Sequence, residues 1–213
     1  DLPLFNRVLQ AQYPPGSTIK PFGLLAGLEE GIFRLDSYIN DPGAFQIPGE
    51  KRFYRDWKRE GHGRVGYIEA LEQSCDVYFY QLAFKMGIRN MHKYYDMFGF
   101  GELTGIDVPD ERRGINPSPE WKKATGRGAW YAGDTVNIGI GQGFMLVTPL
   151  QLAYATSIIA NRGERLLPQM VAMQDGVPVP VQKLEPLVLK DNERWHHVIE
   201  SMKSVVHGPR GTA

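Results

Sequence analysis

The chain has 213 residues, of which 42% are hydrophobic and 23% are charged. These proportions are typical of a globular protein, and the length suits one large domain or two small ones. The 24 basic and 24 acidic residues cancel, so the composition does not indicate a nucleic-acid-binding or anionic-membrane-binding surface. No apolar run approaches the roughly 20 residues of a membrane span. The single cysteine, Cys75, excludes an intrachain disulfide.

In chain order, the pattern of apolar and turn residues predicts mostly helices joined by long loops. Residues 1–16 are expected to be extended, and residues 36–66 and 110–137 irregular, because glycine and proline interrupt any periodicity there. The expected helices are Ser17–Gly31, Ile68–Gln73, Val77–Met86, Arg89–Phe98, Thr148–Asn161 and Asp191–Val206. The expected strands are Leu166–Met173 and Gln182–Leu189.

The glycine-rich segment Ile138–Gly143 does not have the lysine and glycine spacing of a phosphate-binding loop. We interpret it as a place where two backbone segments cross closely. Immediately beyond it, Thr148 and Pro149 have the residue types favoured at an N-cap and at the first helical position.

The segment from Tyr13 to Lys20 contains a Ser-x-x-Lys pattern, Ser17 to Lys20. The preceding Pro-Pro-Gly predicts a turn, after which Ser17 begins a helix with Lys20 on the same face. A serine hydroxyl is a weak nucleophile until a base takes its proton, and lysine can be that base if burial lowers its pKa. The same spacing also occurs at ordinary helix N-caps followed by a solvated lysine. The motif alone therefore leaves both interpretations open.

A second short pattern, Ser74-Cys75-Asp76, lies between two predicted helices. By itself it reads as a helix break with Asp76 as the N-cap of the next helix. Enzymes that use Ser-x-x-Lys also need a second hydroxyl to pass a proton to the leaving group, and a polar side chain to hold the substrate amide. Ser74 and Asp76 are candidates for these two roles.

Residues 36–66 carry three of the residue types that bind zinc, Asp41, Asp56 and His62, and Cys75 follows in the Ser-x-Asp segment. Four such ligands would complete a tetrahedral structural site and hold a segment that has little core-forming periodicity. Their spacing is not that of a zinc finger. Cys75 could equally be a small buried residue, with His62 and the two aspartates stabilising turns.

The residues around these motifs resemble one family. Ser-x-x-Lys followed by a Ser-x-Asn-like loop belongs to the motif set of serine β-lactamases and penicillin-binding proteins. The segments that carry the closer resemblance are Tyr13–Pro21, Asp41–Gly43, Tyr54–Trp57, Gly61–Gly63, Ser74–Asp76, Thr104–Asp107, Gly139–Gly143 and Thr148–Gln151. Together they resemble the penicillin-binding protein 2 family, class B monofunctional transpeptidases of rod-shaped Gram-negative bacteria. Most relatives have asparagine at position 76, but aspartate is usual in this family.

The resemblance implies an α+β penicilloyl-serine transferase fold (β-lactamase/transpeptidase-like), with an antiparallel sheet flanked by helices. It implies that Ser17 attacks the penultimate D-alanine carbonyl of a peptidoglycan stem peptide, with Lys20 as general base. Ser74 would relay the proton, and Asp76 would position Lys20 and the substrate. An amine from a neighbouring strand would then complete the cross-link. β-Lactams, which mimic D-Ala-D-Ala, would acylate the same serine.

The resemblance also implies the setting of the chain, which is lateral cell-wall elongation at the periplasmic face of the bacterial inner membrane. The implied partners are stem peptides, β-lactams, a SEDS-type glycosyltransferase and other elongation-complex proteins. No cofactor is implied for the chemistry, but some relatives keep the same four residues as a metal site, which adds to the zinc hypothesis. Residues 1–213 are expected to be a fragment of the transpeptidase domain. We find no counterpart of the family's membrane anchor or pedestal domain in these residues. The Lys-Ser/Thr-Gly strand also has no counterpart here, because Lys203-Ser204 is followed by valine.

Two other functions remain open from the sequence. A β-lactamase or D,D-carboxypeptidase on the same fold would need a deacylating base, and no residue can be assigned to that role. A non-catalytic penicillin-binding sensor or scaffold would keep the fold without the chemistry. Rapid turnover of bound penicillin would support the first, and a Ser17→Ala protein that still supports wall elongation would support the second.

Overall fold

A computed structural model describes residues 4–213, and residues 1–3 lie outside the described part. The helices are α1 (Arg7–Gln10), α2 (Lys20–Glu29), α3 (Tyr67–Glu72), α4 (Asp76–Met86), α5 (Ile88–Met97), α6 (Pro119–Ala124), α7 (Ala132–Ile138), α8 (Pro149–Ala160) and α9 (Glu193–His207). The strands are β1 (Ile39–Asp41), β2 (Ala44–Gln46), β3 (Phe53–Arg55), β4 (Gly63–Val65), β5 (Arg165–Leu166), β6 (Met173–Gln174), β7 (Val177–Pro178) and β8 (Lys183–Leu184). Within residues 4–213, no helix combines the length and apolarity needed to cross a bilayer.

The strands pair two at a time, and every pairing is antiparallel: β1 with β4, β2 with β3, β5 with β8, and β6 with β7. The β2–β3 hairpin lies in the chain between β1 and β4, so residues 39–65 form two nested ladders. The predicted α+β class, with helices and antiparallel strands, is confirmed. In the described part of the chain the strands form these small ladders and not one larger sheet.

The expectation that residues 36–66 are irregular is wrong, because four strands form there. Each of these strands has only three residues, which is too short for an alternating apolar pattern to be recognised. In place of the strands expected over Leu166–Met173 and Gln182–Leu189, the structure has two-residue strands whose residues are mostly exposed.

Two further segments contain helices that the sequence did not predict. Residues 110–137 include α6 and all of α7 except its last residue, and the expected extended lead-in includes α1. These helices have only four to seven residues, so they span at most two turns and show no repeated apolar stripe. The N-cap predicted at Thr148 is confirmed, because its hydroxyl accepts a hydrogen bond from the Gln151 amide at 3.1 Å.

Helix α2 lies at the centre of the core. Nine of its ten residues are buried, and it packs against α4, α5 and α9. Phe22 makes edge-to-face contacts with Phe98 and Phe100, each with ring centroids 5.0 Å apart. A helix that is apolar on all sides is stable only when surrounded by other elements. This packing fixes the direction of α2 and therefore the position of Lys20, its first residue.

The close backbone crossing predicted at Ile138–Gly143 is confirmed. The Gly16 amide donates a hydrogen bond to the Gly141 carbonyl at 3.0 Å. Gly141 has φ +68°, and a Cβ at this position would overlap the Gly16 backbone. Only glycine allows both the left-handed conformation and this approach. The crossing holds the turn that immediately precedes Ser17.

Replacing Gly141 with alanine is expected to lower the free energy of unfolding by about 2–5 kcal/mol, combining left-handed strain with overpacking. Gly126→Ala is the matched control, since Gly126 has φ +71° but open space around a Cβ. It should lose only about 1–2 kcal/mol. Urea unfolding of both variants measures the difference, and equal losses would show that the contact with Gly16 contributes nothing.

Candidate functional site

Ser17 and Lys20 lie on either side of the junction between a single 3-10 turn, Gly16–Ile19, and helix α2. The helix therefore begins three residues later than the sequence predicts. The Lys20 side chain is only 1% exposed, and its Nζ lies 5.3 Å from the centroid of the Phe79 ring. A buried amine needs hydrogen-bond acceptors to offset its desolvation.

These acceptors come from the loop between α3 and α4. Lys20 Nζ donates to the Ser74 carbonyl at 2.8 Å, to Ser74 Oγ at 3.0 Å and to Asp76 Oδ1 at 2.7 Å. Ser74 Oγ in turn lies 2.9 Å from Ser17 Oγ. The structure thus brings together the four residues that the sequence predicted to be catalytic, in the hydrogen-bonded order Ser17, Ser74, Lys20 and Asp76.

The spacing predicts that Lys20 stands beside the Ser17 hydroxyl, but among residues 4–213 no hydrogen bond joins these two side chains directly. An ammonium has three N–H donors, and in the described part of the chain Ser74 and Asp76 accept all three. The Ser74 hydroxyl therefore lies between the amine and the Ser17 hydroxyl. The hydrogen-bonded path from Ser17 to Lys20 in this geometry runs through Ser74.

The backbone of Ser74 is strained, with φ +52°. Non-glycine residues in this left-handed region persist only when the surrounding structure holds them. Here the Ser74 amide donates to the Leu71 carbonyl and the Cys75 amide donates to the Ala70 carbonyl, each at 3.0 Å. In this conformation both the Ser74 carbonyl and the Ser74 hydroxyl accept hydrogen bonds from Lys20.

The prediction that Asp76 is the N-cap of the following helix is wrong. Helix α4 begins at Asp76 itself, and the N-cap is Cys75, whose sulfur accepts a hydrogen bond from the Tyr78 amide at 3.4 Å. The Asp76 carboxylate is free to pair with Lys20 because it does not cap the helix. Burial lowers the pKa of Lys20, although the Asp76 carboxylate opposes that shift.

A second cluster consists of Asp41, Asp56, His62 and Cys75. One ligand atom from each lies within 4.8 Å of the others, and the side chains of Asp41, Asp56 and His62 are at most 1% exposed. His62 Nδ1 is 2.7 Å from Asp41 Oδ2 and 3.6 Å from Asp56 Oδ1. Pairing of β1 with β4 brings Asp41 and His62 together, because it sets Asp41 opposite Gly63, the residue after His62. Cys75 Sγ lies 3.4 Å from Asp41 Oδ2.

The chemistry of this cluster fits a metal cation. Burial raises the pKa of Cys75, with a further contribution from the charges of Asp41 and Asp56, and burial also raises the pKa of Asp56. Among residues 4–213, no lysine or arginine forms an ion pair with these two carboxylates. A bound cation would supply the missing positive charge and favour the thiolate. Two carboxylates, an imidazole and a thiol are also a donor set that metals accept.

Trp57 connects the two clusters, and the sequence did not single it out. Its backbone amide donates to Asp76 Oδ2 at 3.3 Å, and its indole Nε1 donates to the Gln73 carbonyl at 3.0 Å. Beside it, Asp56 Oδ2 accepts from the Val77 amide at 3.0 Å. These bonds join positions 16 to 21 residues apart, and no local pattern in the sequence indicates them.

A cavity of about 380 Å³ opens beside Ser17, on the side of the Ser74 loop that faces α8 and α9. Its lining includes Leu71, Leu152, Met202 and Val205 together with Ser17. A volume of several hundred Å³ with mostly apolar walls and a few polar groups is typical of a small-ligand site. The Ser17 hydroxyl is therefore accessible to a peptide-sized group.

The model of the penicillin binding protein transpeptidase domain matches residues 2–213. The chain is 43% identical over 215 residues to the peptidoglycan D,D-transpeptidase MrdA of Acinetobacter baumannii, covering 99% of this chain and 32% of that relative. The chain thus spans about a third of the length of this curated relative.

Solved structures agree with the sequence comparison. A crystal structure of Pseudomonas aeruginosa PBP2 in complex with WCK 5153 matches with a TM-score of 0.93 at 45% identity, covering 99% of this chain and 48% of that one. A complex between PBP2 and MreC from Helicobacter pylori matches with a TM-score of 0.89 at 34% identity, covering 99% of this chain and 38% of that one.

Proposed function

The chain belongs to the penicillin-binding protein transpeptidase domain family, and on this premise we propose that it carries the acylation site of a peptidoglycan D,D-transpeptidase. The observation that carries the proposal is the hydrogen-bonded series from Ser17 through Ser74 to the buried Lys20. A serine nucleophile connected to a desolvated amine is suited to acyl transfer. The proposed donor substrate is a stem peptide ending in D-Ala-D-Ala, and the proposed inhibitors are β-lactams.

In the proposed reaction, Ser17 Oγ attacks the penultimate D-alanine carbonyl while its proton moves through Ser74 Oγ to neutral Lys20. Hydroxyl hydrogens rotate freely, so the Ser17–Ser74 hydrogen bond can donate in either direction. The same path returns the proton to the amine of the departing D-alanine. Asp76 holds the Lys20 amine against Ser74 throughout. An amine of a second stem peptide then attacks the acyl-enzyme ester, forms the cross-link and releases Ser17.

A labelled penicillin incubated with the full-length protein tests this function. The expected result is one stable adduct that peptide mapping places on Ser17, because a ring-opened penicillin stays attached to the acyl-enzyme. An adduct on Ser74, or no adduct, would contradict the proposal. Rapid release of the label would favour a hydrolase instead.

The acylation rate is expected to rise with pH, because only neutral Lys20 can accept a proton. Burial lowers the pKa of Lys20, so the rise should be centred below the pH of an ordinary lysine, about 10.4. Asp76→Asn removes a charge that opposes this lowering and should move the midpoint to still lower pH. Asp36→Asn, at an exposed carboxylate, is the control. An unchanged or higher midpoint in Asp76→Asn would contradict the assignment of Lys20 as base.

We also propose that Asp41, Asp56, His62 and Cys75 hold a structural zinc ion. Zinc suits a buried donor set of nitrogen, sulfur and carboxylate oxygens, and when bound it would neutralise the like charges of the cluster. His62 would bind through Nδ1, the ring nitrogen that faces both carboxylates. Its Nε2 is buried and has no hydrogen-bond partner among residues 4–213.

Family membership also supports a proposal about the setting of the protein. We propose that residues 1–213 are part of a transpeptidase domain that acts at the periplasmic face of the inner membrane during lateral wall elongation. The H. pylori relative forms a complex with MreC, which supports a partner of this kind for this protein. A SEDS-type glycosyltransferase is a further proposed partner.

A further inference from the structure

Trp57 combines high exposure with firm attachment. The residue is 58% exposed, yet its indole N–H already donates to the Gln73 carbonyl. One edge of the ring meets His62 with centroids 5.5 Å apart. The remaining face of the ring is available for apolar contact. Because the ring is already held at its N–H and along one edge, binding a ligand costs little further side-chain entropy.

The position of this face relative to Ser17 follows from a series of contacts. Trp57 is bonded to Asp76, Asp76 to Lys20, Lys20 to Ser74, and Ser74 to Ser17. The indole N–H also anchors the Gln73 carbonyl, directly before the strained Ser74. Trp57 therefore lies at the edge of the catalytic group, and it is not among the residues that line the cavity facing α8 and α9.

In the proposed reaction, the leaving group and the acyl part lie on opposite sides of the donor carbonyl and so face different catalytic residues. In the proposed reaction Ser74 returns the proton to the leaving amine, so the leaving group lies beside Ser74. We infer that the acyl part of the donor extends in the opposite direction, past Asp76, which accepts hydrogen bonds from both Lys20 and Trp57. Trp57 donates its backbone amide to Asp76 and its indole N–H to the carbonyl of Gln73. In this donor orientation it lies on the acyl side.

We propose that the open indole face of Trp57 is a specificity-determining surface that packs against an apolar or aromatic side chain on the acyl part of the donor. This inference rests on the proposed acylation of Ser17 and adds a residue that selects among acyl donors. Stacking on tryptophan favours a flat or branched apolar group and would discriminate against donors that lack one.

Two penicillins with the same ring system test the inference in the full-length protein. Benzylpenicillin carries a phenylacetyl side chain, whereas 6-aminopenicillanic acid has only an amine there. The measurement is the ratio of their second-order acylation rate constants at Ser17. Trp57→Ala is expected to lower this ratio about 3- to 10-fold, mainly through slower reaction of benzylpenicillin, while Trp57→Phe keeps it within about 3-fold because a ring remains.

Phe53→Ala is the matched control. Phe53 is 57% exposed and lies in β3, four residues before Trp57, so its removal should leave the ratio unchanged. Because Trp57 touches His62, bound metal is quantified in each variant. Trp57→Leu keeps apolar bulk beside His62 and allows the ratio to be measured if the alanine variant loses metal or stability.

An unchanged ratio in Trp57→Ala and Trp57→Leu, with wild-type protein acylated normally, would overturn this inference and leave the proposed function standing. Equal slowing of both penicillins would also overturn it, because that result indicates a structural role only. Absence of any adduct on wild-type Ser17 would overturn the proposed function and this inference together.

Discussion

Replacing Lys20 with alanine is expected to slow acylation of Ser17 by about 10²–10⁴-fold, the usual contribution of a general base. Its amine is the end of the proton path from Ser17 through Ser74. Lys20→Arg should fail to a similar extent, because a guanidinium stays protonated at any working pH. The measurement is the second-order rate constant for benzylpenicillin, with peptide mapping of the adduct.

Lys20→Met separates loss of the base from loss of packing, since methionine refills much of the buried space. Lys85→Ala is a matched control, because Lys85 lies in α4 with an exposed side chain away from Ser17. It should acylate at the wild-type rate. A folded Lys20→Met protein that acylates as fast as wild type would show that another group accepts the Ser17 proton.

Cys75→Ser is expected to lower zinc content from about one ion per chain to a small fraction, since thiolate is the strongest zinc ligand in the set. Loss of the ion leaves two buried carboxylates close together, and an uncompensated buried charge costs about 3–5 kcal/mol. The melting temperature should therefore fall by several degrees or more. Metal analysis and thermal unfolding with and without chelator measure these effects.

The same substitution is expected to slow acylation of Ser17, although Cys75 is not part of the proton path. Asp56 accepts from the Val77 amide at the start of α4, and the next residue, Trp57, binds Asp76. Greater mobility of residues 56–57 is therefore expected to disturb Asp76, which accepts a hydrogen bond from Lys20. Asp36→Asn, in the same part of the chain but 72% exposed at its side chain, should change neither zinc content nor rate. Zinc-free protein after purification without chelator would end the zinc hypothesis and leave the transpeptidase proposal untouched.

Several features of the site could be read from the sequence because their signals are local. Ser17 and Lys20 are three residues apart at a helix start, and Ser74 and Asp76 follow a helix break. The predicted crossing at Ile138–Gly143 rests on glycines, the residues that tolerate close backbone approach and positive φ. The four candidate metal ligands could be proposed from residue type, and the structure brings them together, with the ladder of β1 and β4 placing Asp41 beside His62.

Other features were decided only by the tertiary structure. The sequence placed Lys20 beside Ser17, but packing of α2 against α4 brings its amine to Ser74 and Asp76. The left-handed backbone of Ser74, the three-residue strands and the bonds of Trp57 have no signal within a helix turn or a strand repeat. Local spacing determines which side chains can share one face of a helix or strand. The Trp57–Asp76 and Lys20–Ser74 hydrogen bonds join residues 19 and 54 positions apart, so they depend on how the core packs the elements between them.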